Sequence, residues 1–203
     1  MRSVYDQLNA AQLFGGWTST PFQQVHDHSL TIVPANPSNV IDIGAGSGRD
    51  AQALAALGHR VVAVEPWAEM RETAARLNGH PNITWLDDWL PDLVAVKQMN
   101  ITFEFILVSA VWMHLNRCDR VGAMATLRAI ADPSGASAVI TLRHPPDKDR
   151  GMFSVGAAEV AADANRLGFK VLKIIDRPDP GHRPGVTWSI LQLSAGRHKG
   201  SND

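Results

Sequence analysis

The sequence predicts an α/β fold: a doubly wound, mostly parallel sheet of seven strands, with helices on both faces and an antiparallel hairpin at the C-terminus. From residue 39 onward, short apolar runs alternate with helical patterns, which is typical of parallel strands joined by crossover helices. The runs 105–108 and 138–140 are apolar throughout, as expected for central strands covered on both faces. The last two runs, 169–175 and 187–193, are joined by a Pro- and Gly-rich loop without a helix, which indicates antiparallel pairing.

Two short amphipathic helices precede the first strand. Apolar side chains at three- and four-residue spacings predict a helix over residues 3–16, which Gly15-Gly16 ends. Thr20-Pro21 can begin a second helix, with Thr20 as the cap, and this helix continues to about residue 32. The later elements are strand 39–43, helix 48–58, strand 60–64, helix 67–78, strand 82–86, a short helix near 91–98, strand 103–109, helix 117–131, strand 136–143, helix 155–167 and the two hairpin strands.

The length and composition predict one domain with a single core, since the chain has 203 residues of which 45% are apolar. We expect residues 1–38 to form an N-terminal helical lid of that domain, residues 39–195 its main body, and residues 196–203 a flexible tail. Lys and Arg total 19 against 20 Asp and Glu, so the net charge provides no general attraction to nucleic acid or to an anionic membrane.

The cysteine and hydropathy patterns predict a cytoplasmic protein. Cys118 is the single cysteine, which excludes an intrachain disulfide framework and a cysteine-rich zinc site and fits a reducing compartment. The first 30 residues carry charges and glutamines, and no run approaches the roughly 18 apolar residues that cross a bilayer. We expect no processed leader, no membrane partner, and a monomer or a homodimer.

The most informative segment is an apolar strand that runs into three alternating glycines within residues 44–48. The dinucleotide fingerprint would place its third glycine where Arg49 stands, so this spacing counts against NAD. Asp42 precedes the turn and suits a ligand that carries an ammonium group. Glu65 ends the next strand, where a carboxylate can accept hydrogen bonds from both ribose hydroxyls. An adenosine with an amino-acid tail satisfies both ends.

Four segments resemble the class I (Rossmann-like) S-adenosylmethionine-dependent methyltransferases of the small single-domain type. Residues 42–50 (DIGAGSGRD) resemble the first motif of that family, and residues 62–70 (VAVEPWAEM) resemble the second. Residues 83–91 (ITWLDDWLP) are similar to the segment that holds adenine, and residues 103–115 (FEFILVSAVWMHL) to the fourth strand and its exit loop. The order of elements is also that of the family, so the resemblance covers about residues 38–195.

The resemblance implies S-adenosylmethionine as cofactor and S-adenosylhomocysteine as product. Glu65 would hold the ribose, and Asp88, or its neighbour Asp87, would accept from the adenine amino group while Trp89 covers the base. Residues 109–110 would pass beneath the sulfonium. The implied cofactor-binding residues are Asp42, Gly44, Ala45, Gly46, Ser47, Gly48, Glu65, Pro66, Trp67, Asp87, Asp88, Trp89, Ser109 and Ala110.

Two histidines follow strands at the predicted acceptor end. His114 comes just after the fourth strand and His144 just after the fifth, where an imidazole could take the acceptor proton as the methyl group arrives. The alternative for His114 is that it caps the following helix or packs under the lid, and the same alternative applies to His144. The run His26-Asp27-His28 lacks an identifiable third ligand, so no metal site is predicted.

The acceptor pocket should lie over the carboxyl ends of the strands, built from residues 1–34, 110–116 and 143–153. Aromatic side chains would form its wall, and arginines beside the fifth strand could bind an acceptor carboxylate or phosphate. Core positions for the aromatic residues and a solvated loop for the arginines are the alternatives. The predicted pocket residues are Tyr5, Trp17, Phe22, Trp112, Arg143 and Arg150.

These features predict a methyltransferase that moves the sulfonium methyl group to oxygen or nitrogen of a small molecule by direct displacement. Because the methyl group is already activated, the protein mainly has to place the acceptor about 3 Å from it. One alternative is a methyltransferase acting on RNA or protein. A catalytically silent module that binds S-adenosylmethionine or S-adenosylhomocysteine is another, and a nicotinamide oxidoreductase is a third.

Overall fold

The computed structural model describes residues 10–196, and its elements follow the predicted alternation. In chain order they are α1 (Ala10–Thr18), α2 (Phe22–His26), β1 (Asn39–Ile43), α3 (Arg49–Ala56), β2 (Arg60–Val64), α4 (Ala68–Leu77), β3 (Ile83–Leu86), α5 (Val94–Gln98), β4 (Phe105–Val108), α6 (Arg117–Ile130), β5 (Ser137–His144), α7 (Ala157–Arg166), β6 (Lys170–Pro178) and β7 (Thr187–Ser194). Three 3₁₀ segments lie at Asp27–Ile32, Trp112–His114 and Lys148–Arg150. The second predicted helix is therefore α-helical in its first part and 3₁₀ in its second. The predicted pocket residue Tyr5 and all but the first residue of the predicted tail lie outside the described residues.

The seven strands within residues 10–196 form one sheet in the order β3-β2-β1-β4-β5-β7-β6. Strands β1 to β5 are parallel, and β7 pairs antiparallel with both β5 and β6. The predicted fold class is confirmed. The chain order changes direction at β1, which lies between β2 and β4. In open α/β sheets, ligands bind at the carboxyl ends of the strands beside such a point.

Apolar side chains cover both faces of the sheet, because successive strand residues point to opposite sides. Ile41 belongs to the cluster that includes Leu127 of α6 and Val160 of α7. Its neighbour Val40 belongs to the cluster that includes Leu54 of α3. Burying such a side chain contributes about 1.5–3 kcal/mol, so the two clusters hold the strand ends in place.

Helix α1 continues beyond the end that the sequence predicts. Gly15-Gly16 should end it, but it runs to Thr18. A glycine within a helix costs roughly 0.5–1 kcal/mol relative to alanine, and tertiary contacts offset this cost. The Trp17 ring lies against Gly46, and the Trp17 carbonyl accepts a hydrogen bond from Arg49 Nη1 at 3.1 Å. The prediction was wrong because it used only local sequence.

The C-terminal hairpin is longer than predicted, since β6 extends to Pro178 instead of ending near residue 175. Strand β6 forms the edge of the sheet, where proline is tolerated. Pro178 pairs with Thr187, which also pairs with His144 at the end of β5. The loop between β6 and β7 therefore lies at the carboxyl edge of the parallel strands. Within residues 10–196, no helix has the length and apolar character needed to cross a membrane.

Candidate active site

A cavity of about 540 Å³ opens at the carboxyl edge of the sheet. Its volume lies within the roughly 300–1,000 Å³ typical of small-ligand pockets. Helix α1, the segments that follow β1, β2, β3 and β4, and the loop between β6 and β7 form its wall. The predicted cofactor residues on the wall are Gly44, Ala45, Gly46, Ser47, Glu65, Pro66, Trp67, Asp88, Trp89, Ser109 and Ala110. Three others, Asp42, Gly48 and Asp87, lie outside it.

Glu65, the residue after β2, holds the glycine turn. Its Oε2 accepts a hydrogen bond from the Gly46 amide at 2.9 Å, and its Oε1 accepts one from the Trp67 amide at 2.9 Å. Burial raises the pKa of the Glu65 carboxyl, and these two hydrogen bonds partly oppose that effect. The Glu65 carboxylate thus links the glycine turn to the segment that follows β2. The sequence predicts that both segments bind the same ligand, an adenosine with an amino-acid tail.

Gly44 and Gly46 of the turn could not carry a side chain without strain. Gly44 has a φ of +74°, and a Cβ there would lie 2.3 Å from Val111 Cγ2. Gly46 has a φ of +53°, and a Cβ there would lie 3.0 Å from the Trp17 ring. Residues with a Cβ rarely adopt such angles. The missing Cβ atoms allow the loop after β4 and helix α1 to approach the turn closely.

Asp42 is buried behind the turn. Its carboxylate accepts a hydrogen bond from the Ala51 amide, while Oδ2 has no partner among the described residues. Burial raises the pKa of Asp42 well above its usual range, and the nearby charges of Asp50 and Glu65 raise it further.

The Asp42 carboxyl should make the protein less stable as the pH rises. Its pKa in the folded protein is above the unfolded value, which is about 3.9, so the folded state retains a proton that the unfolded chain loses. Stability contributed by this group therefore falls from about pH 4 upward until the folded pKa is passed. We expect Asp42→Asn to gain stability relative to wild type as the pH rises above about 4.

Urea unfolding at several pH values measures this effect. The exposed Asp149 provides the control, because Asp149→Asn should leave the pH dependence unchanged. A stability difference between Asp42→Asn and wild type that does not vary with pH would contradict the prediction.

Asp50, in the first turn of α3, joins the glycine turn to the N-terminal segment. Its Oδ2 lies 3.0 Å from His26 Nε2 and accepts a hydrogen bond from Arg49 Nη2 at 2.9 Å, while its Oδ1 accepts one from Arg49 Nε at 2.6 Å. Burial alone would raise the pKa of Asp50, but His26 and Arg49 outweigh burial and hold the pKa below its usual range. In residues 10–196, no group of three or more His, Cys, Asp or Glu side chains is arranged for a metal ion.

Of the two aspartates that follow β3, Asp88 is the one on the cavity wall. Its Oδ1 accepts a hydrogen bond from the Trp89 amide at 2.9 Å, and its Oδ2 accepts one from the Val96 amide at 3.0 Å. Asp87 lies outside the wall, where its Oδ2 is 3.5 Å from Arg71 Nη2. The structure thus places Asp88, the aspartate that the sequence favours, on the cavity wall and Asp87 outside it.

The loop after β4, residues 109–111, forms part of the cavity wall. Ala110 has a φ of +59°, and its amide donates a hydrogen bond to Thr141 Oγ1 at 2.8 Å. A left-handed backbone at a residue with a Cβ costs of order 1–3 kcal/mol. The Thr141 hydrogen bond and the contact of Val111 with Gly44 hold the loop in this conformation.

His114 lies on the cavity wall beyond this loop. Burial lowers the pKa of His114 to about 4, and the positive charge of Arg150 lowers it further, although a hydrogen bond to the Arg150 backbone opposes the shift. The imidazole is therefore neutral at physiological pH.

Three of the residues predicted for the acceptor side, His144, Phe22 and Trp112, do not line the cavity. Arg143 lies on its wall, so the next residue of β5, His144, faces the other side of the sheet. There His144 Nε2 lies 3.0 Å from Ser189 Oγ. Phe22 and Trp112 are buried in the two apolar clusters. Trp17 and Arg150, by contrast, lie on the cavity wall.

The sequence analysis did not find the contribution of the hairpin loop. Arg177, Asp179, Arg183 and Trp188 lie on the cavity wall. Asp179 accepts hydrogen bonds from Trp188 Nε1 at 2.7 Å and from Arg183 Nη2 at 2.6 Å. The predicted hairpin could have indicated this contribution, because a strand that pairs antiparallel with β5 begins at the carboxyl edge of the parallel strands and so places the preceding loop there.

The strand order, with β7 antiparallel between β5 and β6 beside a cavity at the carboxyl edge, defines a Rossmann-like methyltransferase fold. A family model described as a methyltransferase domain matches residues 40–135. That range contains the glycine turn, Glu65, Asp88 and the loop after β4. Residues 40–135 are therefore similar to a methyltransferase domain, and they lie in a sheet with the Rossmann-like fold of S-adenosylmethionine-dependent methyltransferases.

Solved methyltransferases share this fold at low sequence identity. The glycopeptide N-methyltransferase MtfA, solved with S-adenosylmethionine, has a TM-score of 0.66 and 14% identity, covering 86% of this chain and 94% of its own. The Burkholderia thailandensis 1,6-didemethyltoxoflavin-N1-methyltransferase has a TM-score of 0.63 and 17% identity, covering 97% and 82%. A TehB-like methyltransferase from Corynebacterium glutamicum has a TM-score of 0.64 and 18% identity, covering 89% and 94%. No curated protein sequence matches significantly.

Proposed function

We propose that the protein transfers a methyl group from S-adenosylmethionine to an oxygen or nitrogen atom of a small molecule by direct displacement. The supporting observation is the continuity of the cavity. One end contains the glycine turn, Glu65 and Asp88, and the other continues past Ser109 to Arg143 and Trp188. One cavity therefore offers a place for the cofactor and a place for an acceptor beside it.

The side chains at the first end fit the cofactor. A carboxylate has about four lone-pair positions, so Glu65 and Asp88 can accept from the ribose hydroxyls and the adenine amino group beyond the backbone hydrogen bonds that they already accept. Trp89, 45% exposed at the wall, would cover the base. The turn at 44–48 presents backbone to the methionine part, and the N-terminal helices would act as a lid over it.

When bound, S-adenosylmethionine supplies a methyl group already activated by its sulfonium sulfur. The residues of this chain then have to align the acceptor and exclude water, which is the main source of rate in such a displacement. His114 is the candidate proton acceptor on the wall. With a pKa of about 4 it is a weak base, so it would take the proton only as methyl transfer makes the acceptor acidic.

Thermal unfolding with S-adenosylhomocysteine and, separately, with NADH tests this function. A ligand that binds only the folded state adds about 2.7 kcal/mol of stability at 100 times its dissociation constant. We expect a rise in the unfolding temperature with S-adenosylhomocysteine and none with NADH. If protein free of carried-over ligand shows no rise with S-adenosylhomocysteine, or a rise only with NADH, the proposed function is wrong. The same comparison distinguishes the nicotinamide alternative.

A further inference from the structure

The two ends of the cavity carry opposite charge, although the whole chain has a formal net charge of only −1. Near the glycine turn, the cavity wall carries one basic side chain, Arg49, and three carboxylates, those of Asp50, Glu65 and Asp88. Beyond Ser109, the wall carries four arginines and one carboxylate. The arginines are Arg143, Arg150, Arg177 and Arg183, and the carboxylate is that of Asp179. A cleft with low-dielectric walls focuses such a field onto its contents.

Arg143 is the arginine of this group without an acidic partner. Its Nη1 donates a hydrogen bond to the Pro145 carbonyl at 2.6 Å, and within residues 10–196 it forms no ion pair. The other three are paired. Arg150 Nε lies 3.5 Å from Asp147, Arg177 Nη1 lies 3.0 Å from Asp27, and Arg183 Nη2 lies 2.6 Å from Asp179. A guanidinium has five N–H donors, so most donors of Arg143 are available to a ligand in the cavity.

An aromatic surface adjoins this guanidinium. Arg143 pairs with Trp188 in the register of β5 and β7, so both side chains lie on the same face of the sheet. Asp179 fixes the indole through its Nε1, and the Arg183 guanidinium carbon lies 5.9 Å from the ring centroid. A planar ligand can therefore contact Trp188 while an acidic group on it reaches Arg143.

We infer that the methyl acceptor is an anionic small molecule whose carboxylate, or another oxyanion, binds Arg143 while its planar part lies against Trp188. Arginine binds such groups through paired, charge-assisted hydrogen bonds. The carboxylates at the other end of the cavity complement the positive sulfonium and ammonium groups of the cofactor. A cationic acceptor would instead meet the guanidinium of Arg143, which no carboxylate of the described residues neutralises. The inference rests on the proposed function, because it assigns the second end of the cavity to the acceptor.

Matched phenols test the inference: 4-hydroxybenzoate, the neutral 4-hydroxybenzamide and 4-hydroxyphenyl phosphate. Their dissociation constants are measured by NMR titration of protein loaded with S-adenosylhomocysteine. We expect the benzoate to bind at least about tenfold more tightly than the benzamide. The phosphate shows whether the site prefers carboxylate or phosphate. Arg143→Gln should remove the preference for the acids, whereas Arg76→Gln, on the exposed side of α4, should keep it.

The outcomes separate the two proposals. A protein that does not bind S-adenosylhomocysteine contradicts the proposed function. A loaded protein that binds acid and amide equally, binds neither, or keeps its preference for acids after Arg143→Gln contradicts the anionic acceptor alone. The unfolding midpoint of each variant shows that it is folded.

Discussion

Replacing Asp50 by alanine should lower the unfolding free energy by about 3–5 kcal/mol, as expected when one partner of a buried ion pair is removed. Asp50 and His26 are both buried, and the Asp50 carboxylate contacts His26 and Arg49. Without it, two basic groups lose their acceptor. Arg49 also donates to the Trp17 carbonyl, so the contact of α1 with the glycine turn should weaken as well. Urea unfolding at neutral pH measures the loss.

The exposed Asp149 provides the control, because Asp149→Ala should change stability by no more than about 0.5 kcal/mol. The pH dependence identifies the cause. The pKa of Asp50 is held below its usual range, so its stabilisation is present above the unfolded pKa of about 3.9 and is lost as the pH falls toward the folded pKa. The difference between wild type and Asp50→Ala should therefore shrink below about pH 4. A loss under about 1 kcal/mol at neutral pH would contradict the predicted role.

Replacing Glu65 by alanine should weaken S-adenosylhomocysteine binding about ten- to hundredfold. A hydrogen bond to a charged group contributes about 1.5–3 kcal/mol, and each 1.4 kcal/mol corresponds to a factor of ten in affinity. The variant loses the proposed ribose acceptor and also the hydrogen bonds that hold the amides of Gly46 and Trp67. Isothermal titration calorimetry measures the dissociation constant directly.

Two further variants separate these contributions. Glu65→Gln keeps the size of the side chain and one carbonyl oxygen, so its affinity should fall between wild type and Glu65→Ala. The exposed Glu69, in the first turn of α4, provides a matched control, and Glu69→Ala should bind as wild type does. Unchanged affinity in folded Glu65→Ala would mean that Glu65 does not hold the ribose.

The parallel core of the fold could be predicted from the sequence. Strands β1 and β2 have the predicted bounds, 39–43 and 60–64, because each is a short apolar run that ends at a turn or a charged residue. Errors occurred where distant contacts override local preference. Helix α1 passes through Gly15-Gly16 because Trp17 packs on the glycine turn, and β6 continues to Pro178 because it is an edge strand.

The sequence by itself determined the fold class, the glycine turn and the candidate ribose carboxylate, because these depend on consecutive residues and on strand periodicity. Only the tertiary structure decided which side chains meet the acceptor end. Arg143 and His144 are adjacent in sequence, yet they face opposite sides of β5. Trp188, some 45 residues farther along the chain, reaches the cavity through antiparallel pairing. Sheet register and packing select these neighbours, and no local pattern contains that information.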